Sequence, residues 1–171
     1  EVTAIELNVS CPNVKTGLMF GADPVEVSGL LDAVRPHTAK PLIVKLTPNC
    51  ASPADVAAAA EQHGADAVSL INTLRGAAIA PGSASAWLGG GTGGLSGPAV
   101  RAVALAQIGA VASSVSIPVV AMGGVSSGRD AAEMLAAGAR IVAVGTESFR
   151  DPAAGSRIAA ELAGESPRNS G

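Results

Sequence analysis

The segment PVVAMGGVSSGRDAAEMLAAGARIVAVGT, residues 118–146, decides the fold, because it contains a complete strand–helix–strand pattern. Pro118 to Met122 and Arg140 to Val144 are short apolar runs rich in Val, Ile and Ala, which predicts buried strands. Between them, Gly128 to Ala137 has helical character and stops before Gly138, a residue suited to the left-handed turn that ends a helix. This pattern is the repeating unit of a parallel sheet covered by helices.

The same pattern recurs through the rest of the chain. Further strands are predicted at Ala4 to Val9, Pro41 to Leu46 and Ala67 to Ile71, and further helices at Pro24 to Arg35, Pro53 to His63, Gly97 to Val115 and Pro152 to Leu162. Four of the helices carry proline near their first position, where its missing N–H does no harm: Pro24, Pro53, Pro98 and Pro152. Gly64 ends one helix as Gly138 ends another.

The predicted elements make about five βα units, whereas a closed barrel needs eight. A five-stranded doubly wound sheet of the flavodoxin type has a similar pattern, and periodicity alone leaves both open. Polar or glycine residues follow nearly every strand, as expected at a barrel rim: Asn8, Lys45, Asn72-Thr73, Gly123-Gly124 and Gly145-Thr146. We therefore predict an α/β fold, an incomplete TIM (β/α) barrel of about the last five units, with the N-terminal strands missing.

Composition excludes several classes of function. The 171 residues are 48% hydrophobic and 15% charged, with a mean hydropathy of +0.40, but no apolar run approaches the roughly 18 to 20 residues of a membrane span. A net charge of -3 and 2% aromatic residues argue against a nucleic-acid surface. Two cysteines provide neither a disulfide framework nor a metal site. We expect a cytoplasmic protein and, since the chain opens at Glu1, a piece of a longer one.

The segment Asn8-Val9-Ser10-Cys11-Pro12-Asn13 places two amides and a thiol just after a buried strand. A buried cysteine is more often inert packing than catalytic. Asn8 and Asn13, however, offer donors and acceptors suited to the imide and carbonyl groups of a flat polar ligand. On that interpretation Cys11 would exchange a proton beside the ligand. Cys50 has no such neighbours and is predicted to be structural.

Lys45 interrupts the apolar strand Leu42-Ile43-Val44-Lys45-Leu46. One interpretation is a side chain that extends to solvent at the barrel mouth. The other is a fixed positive charge facing an anion or an electron-rich ring.

Gly123-Gly124 and Gly145-Thr146 follow consecutive strands, as in the phosphate sites that barrels form near their last strands. The long stretch from Leu74 to Gly97 is predicted to be irregular, either a floppy insertion or a loop whose glycines approach a planar ligand. His37, His63 and the acidic residues of the helices are predicted to lie on solvated faces.

Six motifs, NVSCPN, KPLIVKLTPN, SLINT, GGLSGPAV, VVAMGGV and AVGT, together resemble the dihydroorotate dehydrogenases, FMN-containing barrel enzymes of pyrimidine synthesis. The resemblance runs in order from Ile5 to about Leu162. It implies oxidation of (S)-dihydroorotate to orotate, in which a base removes the C5 proton and a hydride passes from C6 to flavin N5. It also implies that residues 1–171 are part of an FMN-binding barrel domain.

The resemblance also assigns roles to individual residues. Cys11 matches the catalytic base, and the substrate contacts match Asn8, Asn13, Asn72 and Thr73. The FMN contacts match Asn8, Lys45, Ile71, Gly97, Gly123, Gly124, Gly145 and Thr146. No metal ligand is implied.

Cys instead of Ser at the base position is typical of class 1, the soluble enzymes. LIVKLTPN and SLINT are most similar to the NAD-linked class 1B, which works with an iron–sulfur and FAD electron-transfer subunit, and the resemblance implies an oligomer in the complete protein. The family's first strands, which carry further FMN and orotate contacts, have no counterpart here, and Ala80 to Gly91 is unusually rich in small residues.

Two alternatives stay open at this point. One is the pyrimidine-reducing domain of dihydropyrimidine dehydrogenase, whose cysteine would fall near Met19-Phe20-Gly21, where Phe20 cannot transfer protons. The other is an inactive barrel fragment that binds only a phosphate ligand, a flavin or a partner.

Overall fold

The computed structural model describes residues 2–10 and 20–164. Its main sheet has five parallel strands, each within a predicted range: β1 (Ile5–Asn8), β2 (Leu42–Lys45), β3 (Ala67–Leu70), β6 (Val119–Ala121) and β7 (Ile141–Val142). A separate antiparallel pair is formed by β4 (Leu74–Gly76) and β5 (Gly93–Leu95).

In the described residues, six α-helices follow these strands: α1 (Pro24–Val34), α2 (Pro53–Gln62), α3 (Arg101–Ala112), α4 (Gly128–Ala136), α5 (Glu147–Arg150) and α6 (Ala154–Gly164). Asp23 and Ser52 cap the first two helices by accepting from the backbone N–H groups of Val25 and Asp55. Gly64 and Gly138 have φ angles of 89° and 110° just beyond their helices, which confirms their predicted role. Among the described helices, none has the length and apolarity needed to cross a membrane.

The spatial order of the main sheet, β1-β2-β3-β6-β7, equals the order along the chain. A flavodoxin-like sheet would place its second strand outside the first. Moreover, α1 packs on α2, α2 on α3, α3 on α4 and α4 on α6, as in the outer ring of a barrel. The fold is therefore of the (β/α)-barrel type, and within the described residues the sheet is not closed.

Side chains alternate between the two faces of the sheet. The face that contacts the helices holds the core: Leu42, Val44, Val68, Leu70, Val119 and Ala121 are each at most 2% exposed. From the helices, Leu31, Ile108 and Met134 complete it, also fully buried. Burial of each large apolar side chain contributes about 1.5 to 3 kcal/mol to stability. The opposite face carries Glu6, Lys45 and Ser69.

The structure corrects the prediction for residues 74–97. The stretch predicted to be irregular contains an antiparallel pair, with Leu74 opposite Leu95 and Gly76 opposite Gly93. A bridge between Ile79 and Ala86 extends the same hairpin. Its strands are three residues long and glycine-rich, so they lack the β-branched signal by which a strand is recognised.

Two helix predictions also need correction. Gly97 to Val115 was predicted as one helix, but Pro98–Val100 forms a 3₁₀ turn and the α-helix begins at Arg101. Its end at Ala112 is followed by a turn closed by Ser113 and Ser114. Near the C-terminus, α5 was not predicted, and α6 begins at Ala154 because Asp151 caps the turn before it by accepting from Ala153 N–H.

Asp130 contradicts the prediction that the acidic residues of the helices are solvated. It is 4% exposed, accepts hydrogen bonds from the backbone N–H and the hydroxyl of Ser126, and pairs with Arg101 from α3. Because a buried carboxylate needs such partners, Asp130 joins α4 to α3 beside the loop that follows β6.

Candidate functional site

A cavity of about 440 Å³ lies where the strands of the main sheet end. Its walls come from β1, β2 and the segments that follow β3, β5, β6 and β7. Nine of the residues predicted for substrate or cofactor contact line it: Lys45, Ile71, Asn72, Thr73, Gly97, Gly123, Gly124, Gly145 and Thr146. Cys11 and Asn13 lie outside the described residues.

Glycines form one wall of the cavity. Gly97, Gly123 and Gly124 have φ angles of 78°, 127° and 78°, a region that disfavours residues with a side chain. A Cβ atom on Gly124 would lie 2.8 Å from Arg101 Cβ and 2.9 Å from the Gly97 carbonyl oxygen. Backbone therefore packs directly on backbone here. The loop after β7 is held to this wall by a hydrogen bond of 2.9 Å, which Thr146 Oγ1 donates to Ser96 Oγ.

Amide side chains meet at the opposite end. Asn8 lies beside the cavity, and its Oδ1 accepts from Asn72 Nδ2 at 3.1 Å and from the Ser10 backbone N–H at 3.2 Å. Ser10 Oγ in turn donates to the Lys45 carbonyl oxygen at 2.9 Å, which fixes the turn after β1 to the end of β2. The structure thus brings together Asn8 and Asn72, which are 64 residues apart in the chain.

Asn49 supports the site from outside the cavity lining, and sequence reasoning did not identify it. Its Nδ2 donates to the Thr73 carbonyl oxygen at 2.9 Å, and its Oδ1 accepts from the Arg75 backbone N–H at 2.8 Å. Thr47 Oγ1 orients the amide by accepting from Asn49 N–H and Nδ2. Asn49 therefore holds the segment that contains Asn72 and Thr73. The signal in the sequence was an amide side chain in the loop that follows β2, at the same edge of the sheet as Asn72.

Glu6 and Ser69 are also new to the site. Both lie on the inner face of the sheet, where Ser69 Oγ donates to Glu6 Oε2 at 2.9 Å. Glu6 lines the cavity next to Lys45, whose Nζ is 3.8 Å from Glu6 Oε1. The signal in the sequence was a charged residue between Ile5 and Leu7 in an otherwise apolar strand.

Cys50 lies outside the cavity lining, half-buried, with its Sγ 3.5 Å from the Thr47 carbonyl oxygen. Burial raises the pKa of its thiol, which disfavours the reactive thiolate. This agrees with the predicted structural role. In the part of the chain that the structure describes, no group of three or more His, Cys, Asp or Glu residues could hold a metal ion.

A parallel βα sheet with a ligand-sized cavity at the carboxyl ends of its strands places the chain in the (β/α)-barrel class of folds. The family described as dihydroorotate dehydrogenase matches residues 1–165. The chain belongs to the dihydroorotate dehydrogenase family.

Individual relatives agree with this assignment. The chain is 52% identical over 163 residues to the dihydroorotate dehydrogenase B (NAD(+)) catalytic subunit of Geobacter metallireducens, a match covering 95% of this chain and 53% of the relative. The corresponding subunit of Geobacter sulfurreducens is 50% identical, with the same coverage. The subunit of Lachnoclostridium phytofermentans is 46% identical over 152 residues, or 88% of this chain and 51% of the relative.

Among solved structures, the complex of dihydroorotate dehydrogenase with ferulenol from Eimeria tenella superimposes with a TM-score of 0.76 at 23% identity. The match covers 94% of this chain and 49% of that one, and it supports the fold. The chain thus spans about half the length of the relatives it matches. That the chain corresponds to the C-terminal part of these relatives stays a prediction.

Catalytic subunits of this family are FMN-dependent flavoenzymes. The cavity fits that group in two respects. Gly123 and Gly124, where a Cβ atom would lie 3.0 Å and 2.8 Å from neighbouring atoms, present bare backbone in the cavity lining, which suits phosphate binding. Lys45 and Asn72, which also line the cavity, offer an ammonium group and an amide suited to a ring with electronegative edges.

Proposed function

We propose that the complete protein oxidises (S)-dihydroorotate to orotate with FMN in pyrimidine biosynthesis. The observation that carries this proposal is the convergence of a glycine wall, Lys45 and an asparagine cluster on one cavity at the strand ends. Relatives at about half identity that are named dihydroorotate dehydrogenase support it. None of the relatives reported above favours the dihydropyrimidine dehydrogenase alternative.

FMN would lie along the strand ends. Gly123, Gly124, Gly145 and Thr146 would bind its phosphate, the first two on the glycine wall and the others on the adjoining loop. The ring would contact Ile71, which is 4% exposed, and would lie beside Gly97, Lys45 and Asn8. When bound, FMN supplies the hydride acceptor for the C6 hydrogen of the substrate.

The amides would hold the substrate. Asn8, Asn13, Asn72 and Thr73 offer neutral donors and acceptors that match the carbonyl and N–H groups of a dihydropyrimidine ring. Cys11 would act as the general base and take the C5 proton, whose bonding electrons form the C5=C6 double bond as the C6 hydride leaves. Residues 1–171 would form part of a single FMN-binding barrel domain.

The names of the relatives support a proposal for the electron acceptor and the partner. A "catalytic subunit" of an NAD(+) enzyme implies a separate electron-transfer subunit. We propose that this subunit contains iron–sulfur and FAD groups and passes electrons to NAD. We also place the protein in the cytoplasm, as an oligomer.

Purification of the complete protein with one FMN per chain, and its turnover with dihydroorotate, would test the proposal. Cys11→Ala should lower turnover by on the order of a hundred- to ten-thousand-fold while FMN stays bound, because the thiol is assigned to proton transfer. Cys50→Ala is the matched control, since that thiol lies away from the cavity, and it should leave turnover unchanged. Turnover of Cys11→Ala within a few-fold of the parent would remove Cys11 from the mechanism. A flavin-free parent protein would refute the function itself.

A further inference from the structure

Three polar side chains from three neighbouring strands meet on the inner face of the sheet. Lys45 of β2 and Ser69 of β3 are direct partners in the parallel register, and Lys45 also pairs with Asn8, two residues beyond Glu6 in β1. The Ser69 hydroxyl donates to one Glu6 carboxylate oxygen at 2.9 Å, and Lys45 Nζ lies 3.8 Å from the other. Glu6 therefore faces a hydroxyl donor on one side and an ammonium group on the other.

This arrangement is partly shielded from solvent. Ser69 is fully buried, and the side chains of Lys45 and Glu6 are 23% and 38% exposed. Two opposite charges about 4 Å apart interact several times more strongly at such a site than in bulk water. A role in packing alone would be served as well by an apolar side chain, such as Ile43 on the same face. A carboxylate paired with Lys45 and Ser69 on this face points to an electrostatic role.

Both charged groups also line the cavity proposed to hold FMN. A positive charge beside an electron-rich ring stabilises the form of the ring that carries more negative charge. A carboxylate bound to that positive charge reduces the effect, because the two charges partly cancel at the ring.

We propose that Glu6, held by Ser69, is the counter-ion of Lys45 and lowers the midpoint potential of the bound flavin. The inference rests on the proposed FMN site. It makes Glu6 a positioning residue that acts on the cofactor through Lys45.

Redox titration of the flavin in the complete protein tests the inference. Glu6→Gln should move the midpoint potential to a more positive value, because Lys45 then acts on the ring with less compensation. Gln has nearly the same shape, and its amide oxygen still accepts from Ser69 Oγ, so the fold is preserved. Glu6→Asp keeps the negative charge but moves it away from Lys45, because the side chain is one methylene group shorter. The flavin midpoint potential of this variant should fall between those of the parent and Glu6→Gln.

Glu26→Gln is the control for net charge. Glu26 is exposed in the first turn of α1, outside the cavity. The flavin midpoint potential of the Glu26→Gln variant should therefore equal that of the parent. An unchanged or more negative potential for Glu6→Gln would overturn the inference while leaving the FMN site standing. So would an equal shift in Glu6→Gln and Glu6→Asp. A parent protein that purifies without FMN would instead refute the proposed function and the inference with it.

Discussion

The two faces of the main sheet differ although the same short strands supply both. In β2, Leu42 and Val44 are fully buried against the helices, whereas Ile43 and Lys45 face inward. In β1, Ile5 and Leu7 face the helices, and Glu6 and Asn8 face inward. Since successive side chains of a strand alternate, a charged residue can be placed next to a core residue without entering the core. The helix-covered face supplies stability, and the inner face supplies chemistry.

The largest expected effect is a loss of stability when a core side chain on the helix-covered face is truncated. Leu42→Ala should lower the free energy of unfolding by about 2 to 5 kcal/mol, because it leaves a cavity under the helices. Lys45→Met, three residues along the same strand, should barely change the free energy of unfolding but should weaken FMN binding and make the flavin harder to reduce. Chemical denaturation and flavin titration of both variants would measure this. A Lys45→Met variant as destabilised as Leu42→Ala would contradict the division between the faces.

The next effect concerns the glycine wall at the edge of the inner face. Gly124→Ala should lower the free energy of unfolding by about 1 to 3 kcal/mol, since it places a Cβ at a positive φ of 78°. The Cβ would also lie 2.8 Å from Arg101 Cβ. Gly145→Ala is the matched control, because a Cβ there meets nothing within 4 Å. Thermal denaturation of the two variants should separate them, and equal stabilities would show that the close approach at Gly124 is unimportant.

The strands that form the helix-covered face could be predicted from the sequence, because buried strands of a parallel sheet appear as short apolar runs. All five strands of the main sheet lie where the Val- and Ile-rich runs placed them. Proline and glycine marked helix ends correctly at Pro24, Pro53, Gly64 and Gly138, since their backbone preferences are local.

What the sequence could not show depends on contacts between distant residues. Asp130 has the pattern of a solvated helix residue, and its burial follows from Arg101 on another helix. Glu6 stands out in the sequence as a charge in an apolar strand, but its contacts with Lys45 and Ser69 depend on the register of β1, β2 and β3. Of the predicted site, nine residues line the cavity and Asn8 adjoins it, whereas the assigned roles of all of them stay predictions.

A smaller effect is expected at Asn49, which supports the inner-face site from outside it. Asn49→Ala removes the two hydrogen bonds that hold Thr73 and Arg75, each worth about 0.5 to 1.5 kcal/mol. We expect orotate affinity to fall by about tenfold, with FMN content unchanged, when orotate is titrated against the flavin absorbance. Gln107→Ala is the control, since it removes a different hydrogen bond to the same turn, from Gln107 Nε2 to the Pro48 carbonyl oxygen. Equal loss of affinity in both variants would mean that the turn as a whole matters, and not the Asn49 amide.

The smallest effect should appear in a partly buried ion cluster, where Arg157 of α6 binds three carboxylates. Its guanidinium group lies 2.9 Å from Asp151 Oδ2, 2.8 Å from Glu161 Oε1 and 3.4 Å from Glu147 Oε1. The hydrogen bond from Arg157 lowers the pKa of Asp151 below its ordinary 3.8. The Gly128 N–H, and then Arg157, lower the pKa of Glu161 below 4.5.

Carboxylates whose pKa is lower in the folded state stabilise it above their unfolded pKa, and this contribution is lost as the pH falls through the folded value. Arg157→Met should therefore reduce stability slightly near neutral pH and make stability less dependent on pH below about 5. Arg129→Met is the control, because Arg129 is 81% exposed and pairs only weakly, at 3.3 Å, with Glu133. Denaturation midpoints measured from pH 7 to pH 3 would test this. If both variants lost stability in parallel with the parent across that range, the Arg157 cluster would contribute nothing beyond an ordinary surface ion pair.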